Sequence, residues 1–130
     1  MRDYQRSAVY RFESGFAPAE PQMDKREARQ FFKHVCQSMG ITDLAMGFRS
    51  GGACSYYFPE DNGKPATIKI LWRSRHSILH EIAHHVIHKQ NPNLPDHGPE
   101  FVATLVAMAI VFNGANPLTV REMGDLIRGR

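Results

Sequence analysis

The residues His80-Glu81-Ile82-Ala83-His84 place two imidazoles four positions apart with a carboxylate directly after the first. In an α-helix each residue advances about 100°, so positions i and i+4 lie one turn apart on nearly the same face and both rings can reach one ion. Glu81 is then about a quarter turn away, close enough to hydrogen-bond a water on that ion without ligating it. These residue types fit a zinc hydrolase. Three protein ligands leave zinc a fourth position for water, whose pKa falls to about 7, and a glutamate can take the water's proton and later hand it to a leaving amine. The spacing therefore predicts His80 and His84 as metal ligands, Glu81 as the catalytic base and one Zn2+ per chain. The alternative is a chance match on an exposed helix, and the surrounding residues bear on the choice.

A third ligand is expected at the head of the next helix, where the chain reads Asp96-His97-Gly98-Pro99-Glu100-Phe101. His97 follows His84 by 13 residues, enough for the chain to turn back. His97 is the preferred ligand because neutral imidazole suits zinc, with Glu100 and Asp96 as alternatives. Asp96 could equally serve a loop or cap, and Glu100 could complement the positive end of the helix dipole. Histidine is abundant, and His76, His80, His84 and His88 form one ladder at four-residue spacing. Only the His80/His84 pair carries a glutamate after its first member; Ser77 and His85 occupy the equivalent positions. His76, His85 and His88 are therefore expected beside the site or on the surface, and His34 on the surface. Tyr56 and Tyr57 could supply an oxyanion donor, but adjacent strand residues face opposite ways, so at most one can do so.

These side chains need elements to hold them. Residues 77–89 carry Ile78, Leu79, Ile82, Ala83, Val86 and Ile87 on one broad face, whose centre lies roughly 130° from the His80/His84 pair. One side should pack in a core while the other faces a cleft. Pro92 and Pro95 end that helix, and a second apolar helix runs from Pro99 to about residue 112. Thr119 with Glu122 signals a short final helix to about residue 128. Upstream, Asp24 with Glu27 resembles a capping box, and Ala28, Phe31, Phe32, Val35, Cys36 and Met39 follow at helical spacing to Gly40. Between residues 41 and 71 the texture changes to short apolar stretches at 44–48, 53–58 and 67–71, the last two separated by a turn holding Asn62-Gly63. That pattern predicts three strands, the last two paired as a hairpin. The stretch 1–22 reads as an N-terminal extension with a blurred helical period, ending in a Pro-rich connector.

The predicted architecture is α+β, a single domain over 1–130: a small three-stranded sheet packed on an N-terminal helix and the histidine-bearing helix, followed by two C-terminal helices. The length of 130 residues, 42% hydrophobic and 22% charged, suits one globular core. A net charge of +3 arises from basic residues dispersed along the chain, which supports nucleic-acid binding only weakly. The longest apolar run, 101–112, falls short of the roughly 20 residues of a membrane span. No signal-like stretch opens the chain, so a cytoplasmic location is expected, with Cys36 and Cys54 as reduced thiols. The sequence does not specify an oligomeric state.

His80 to His84 followed by His97-Gly98-Pro99-Glu100-Phe101 resembles the SprT-type minimal zincins, in which HExxH and a later histidine at a helix head bind zinc. The opening Arg2-Asp3-Tyr4-Gln5-Arg6-Ser7-Ala8-Val9-Tyr10, with the same His97 segment, resembles a family of small metallohydrolases known from actinobacteria and their phages. The resemblance implies a zincin-like fold, an active-site helix under a small twisted sheet whose edge strand binds an extended peptide, and thus a peptide or protein substrate. The strand at 67–71 is the candidate edge. SprT-type proteins include DNA-dependent proteases, but this sequence carries no recognisable zinc ribbon or separate DNA-binding module. His84-His85-Val86-Ile87-His88 is also similar to the ImmA/IrrE-type peptidases, whose third ligand is a glutamate. The metzincin pattern is not met, since Ile87 and Gln90 stand where glycine and histidine are required. Two other functions compete with a peptidase: a catalytically silent zincin-fold module that binds protein or nucleic acid, and a zinc hydrolase of a non-peptide amide.

Overall fold

A computed structural model describes residues 20–114. The expectations for the N-terminal extension and for the final helix near 119–128 fall almost wholly or wholly outside the described residues. The fold is α+β, with three helices and a three-stranded mixed sheet in the order α1 (Lys25–Met39), β1 (Leu44–Phe48), β2 (Tyr56–Phe58), β3 (Ala66–Ile70), α2 (Arg75–Gln90) and α3 (Pro99–Asn113). The described chain divides into two compact units, Pro21–His85 and the part from Val86 onward together with Glu20, and the division falls within α2.

In the first unit α1 begins and ends as its residues dictate. Asp24 stands in extended conformation and its carboxylate accepts the Glu27 backbone N–H at 2.8 Å. Gly40 closes the helix with φ 68°, a left-handed conformation that glycine adopts without the Cβ penalty. Ala28, Val35 and Cys36 form the buried stripe. Cys36 and Cys54 are both free thiols. The Glu27 N–H bond is the main influence holding the Asp24 carboxyl below its ordinary pKa. A depressed folded-state pKa means the cap stabilises above the unfolded value of about 3.9 and loses its effect as pH falls through the folded value. Asp24→Ala is expected to lower the melting temperature at pH 7, with the difference from the parent shrinking below about pH 4. Circular dichroism melts across that range check it.

The sheet has the order β1-β3-β2. β3 pairs in parallel with β1, Met46 opposite Ile68, and antiparallel with β2, Tyr57 opposite Ile68. Ala66, Ile68 and Ile70 are buried while Thr67 and Lys69 between them are less so, the alternation of a strand with one face on a core. Asn62 (φ 47°) and Gly63 (φ 79°) form the turn between β2 and β3, flanked by the Asp61–Lys64 bridge. Two consecutive positive φ angles give the turn whose twist matches a hairpin.

The strand expected as the substrate-binding edge, 67–71, is the central strand, because the hairpin occupies one side of it and β1 the other; the edges are β1 and β2. The second strand is also shorter than the apolar stretch 53–58. The Ser55 hydroxyl accepts the Leu71 N–H at 2.8 Å and the Arg49 guanidinium donates to the Cys54 carbonyl, so side chains replace ladder bonds there.

α2 starts at Arg75, two residues earlier than expected, because Ser74 caps it: its hydroxyl accepts the Ser77 N–H at 3.0 Å. The expected split between a core face and a cleft face is only partly present. Ile78, Leu79, Ile82 and Ala83 are fully buried, but His80, Glu81 and His85 are buried as well.

In the second unit, α2 runs out through Ile87, whose carbonyl accepts the Asn91 N–H, and tight turns follow through Leu94 and Gly98. Gly98 is extended, and Pro99 opens α3, its missing N–H being one that no helical partner would take. Phe101, Val102, Leu105, Val106, Met108 and Ala109 are the buried side of α3. Among the described residues no helix is long and apolar enough to cross a membrane.

Candidate metal centre

His80 and His84 stand one turn apart on α2, and His97 lies immediately before the N-cap of α3. One ring nitrogen from each of the three lies within 4.8 Å of the others. Among the described residues, these are the histidine, cysteine and acidic side chains that gather closely enough to hold an ion. The His80 and His84 rings meet edge to face with centroids 4.9 Å apart. Tetrahedral ligands at 2.0–2.1 Å from zinc sit about 3.3 Å from one another, and the three nitrogens fall within a 4.8 Å limit.

Burial separates the third-ligand alternatives. His97 is 6% exposed, whereas Asp96 and Glu100 on either side are exposed. The His97 ring packs edge to face on Phe101 with centroids 5.1 Å apart, one helical turn on, which limits how far it can swing. Gly98 fits closely beneath: a Cβ there would meet the Pro95 Cβ at 3.3 Å. Asp96 lines an open surface pocket with Pro92, Asn93 and Leu94. Glu81, the expected base, is 7% exposed. Three histidines can therefore bind a metal ion, with a buried carboxylate next in sequence to the first.

Of the other histidines, His34 is exposed, as expected, and His76 and His88 are half-buried. His76 meets His80 edge to face with centroids 6.3 Å apart. His85 differs from the surface reading: it is 2% exposed and bonded at both nitrogens, Nε2 to Asp43 Oδ1 at 2.8 Å and Nδ1 to the Tyr57 hydroxyl at 2.8 Å. Of the adjacent tyrosines, Tyr57 is opposite buried Ile68 and reaches α2, while Tyr56 is 44% exposed. The Tyr57 ring also lies nearly parallel to that of His84, 19° between planes with centroids 6.5 Å apart. Burial, reinforced by the Asp43 charge, pushes the Tyr57 phenol up to about 12. Strand alternation was the one signal that could have placed one tyrosine against the helix; Asp43 left none.

Comparison of the chain with protein-family models, with curated proteins and with solved structures finds no match in any of the three. The functional reading therefore rests on the chemistry of the site.

Proposed function

We propose that this chain is a zinc-dependent hydrolase with a zincin-like fold, a metallopeptidase that cleaves an extended peptide segment. The observation that carries the reading is the convergence of His80, His84 and His97, with buried Glu81 beside His80 on the same helix. The donor set suits zinc, since three neutral imidazoles leave the ion its full charge. Zinc held there would supply Lewis-acid polarisation of the scissile carbonyl and acidify a water.

The rest of the reaction belongs to the chain. His80 and His84 on α2 and His97 just before the N-cap of α3 would hold the ion. Glu81 accepts a proton from the attacking water as its oxygen bonds to the carbonyl carbon, then delivers that proton to the departing nitrogen as the C–N bond breaks. The carboxylate ends the cycle ionised. Two free cysteines suit a reducing compartment, and the reading takes the cytoplasm as the location.

An extended substrate needs a strand edge, and β2 is the edge whose Tyr57 lies against His84. A bound, non-cleaved peptide is expected to slow hydrogen exchange at the amides of β2 and not at those of central β3, whose partners are already in place. Protection confined to β1 would move the substrate to the other edge. The function itself is tested by metal analysis of purified protein and by a hydrolysis screen with unfolded proteins and simple amides. About one zinc per chain with peptide cleavage supports the proposal. Cleavage of amides alone would favour the non-peptide hydrolase, and zinc without any hydrolysis a binding module.

A further inference from the structure

His85 joins three parts of the first unit. It stands on α2 directly after His84, Asp43 stands directly before β1, and Tyr57 is the middle residue of β2. Both edge strands are thus tied through one buried imidazole to the helix that carries two of the three clustered histidines. For a neutral ring the carboxylate sets the direction of both bonds. An ionised carboxylate only accepts, so Nε2 of His85 carries hydrogen and donates to Asp43. With the ring neutral, Nδ1 is then an acceptor and the Tyr57 hydroxyl donates to it. A phenol has one hydrogen. While that bond holds, Tyr57 has none to offer a developing oxyanion, and what it presents to the metal cluster is its ring, lying nearly parallel to the His84 imidazole.

We propose that Tyr57 is a positioning residue of the metal centre: its hydroxyl is held by the Asp43–His85 pair, and its ring fixes the His84 imidazole in the orientation that ligates. The proposal rests on the reading of His80, His84 and His97 as a metal site. Groups that hold a metal-binding histidine from outside commonly change metal affinity by about 10–100-fold when removed. The arrangement differs from the usual one in acting on the ligand through an aromatic face, with the hydrogen-bonded pair one step further out.

The test uses the full chain and two probes, Zn2+ competed against a chromophoric chelator and Co2+ read by its visible absorption. Tyr57→Leu removes ring and hydroxyl, Tyr57→Phe keeps the ring and releases its tether, and Asp43→Asn weakens the anchor of His85. Tyr57→Leu is expected to weaken zinc binding by about 10–100-fold and to alter the cobalt spectrum. Tyr57→Phe and Asp43→Asn should shift both in the same direction by less. A purely structural role would lower the melting temperature of the metal-free protein but leave the spectrum of the cobalt-loaded form unchanged. Parental zinc affinity and cobalt spectrum in Tyr57→Leu overturn the proposal while leaving the metallohydrolase reading intact. If that variant does not fold, parental behaviour of both Tyr57→Phe and Asp43→Asn overturns it instead. Failure of the parent chain to bind either ion removes the metal site, and this proposal with it.

Discussion

Glu81→Gln is expected to keep the metal and the fold while peptide hydrolysis falls by about 10²–10⁴-fold or more. The amide is nearly isosteric with the carboxylate, which matters because Glu81 is 7% exposed and a change of volume would be felt throughout α2. None of the three clustered histidine nitrogens is altered, so zinc content should stay near the parent's. What is lost is proton transfer. A neutral amide cannot take a proton from water at neutral pH, nor deliver one to the leaving nitrogen, so both halves of the reaction slow. The measurement is kcat/KM on a cleaved peptide beside zinc content of the same preparation. Near-normal turnover by the variant would remove Glu81 from the mechanism. Loss of zinc together with activity would make the glutamate a support of the site rather than its base.

His97→Ala is expected to weaken zinc binding by roughly 10²–10³-fold, whereas Glu100→Gln should leave it near the parent's value. The magnitude follows from sharing the ~10–16 kcal/mol of a typical four-ligand structural zinc site among its ligands, about 2.5–4 kcal/mol each. The asymmetry follows from geometry. His97 is buried with a nitrogen in the cluster, and Glu100 is an exposed residue of the first turn of α3, where its charge suits the helix dipole. His97→Ala also empties the space over Phe101, so its fold is checked by circular dichroism before affinity is compared. Zinc stripped by Glu100→Gln and kept by His97→Ala would reverse the assignment and favour a glutamate ligand.

Much of the candidate site is legible in the sequence. The His80/Glu81/His84 spacing implies its own geometry once the segment is helical, and the helix is announced by Ile78, Leu79, Ile82 and Ala83 at core spacing. Asp24, Gly40 and Asn62-Gly63 mark the ends of α1 and the hairpin turn, each by a preference that acts over a few residues. His97 was legible as a candidate only. Asp96 and Glu100 carry suitable atoms one and three residues away, and what separates the three is which side chain the start of α3 turns inward.

The tertiary structure alone decided the rest. The Asn62-Gly63 turn identified β2 as one neighbour of β3 but nothing identified β1 as the other, because that depends on where a parallel partner some twenty residues upstream comes to lie. His85 shows the same limit more sharply. Its position in a histidine-rich helix leaves a place beside the site and a place on the surface equally open, and it is 2% exposed, held by Tyr57 and Asp43, which lie 28 and 42 residues away in the chain. Helical period, caps and turns are set by atoms within about four residues of one another, so a linear reading reaches them. Which buried histidine joins the cluster and which is held by a carboxylate and a phenol depends on partners that only the folded backbone brings within reach.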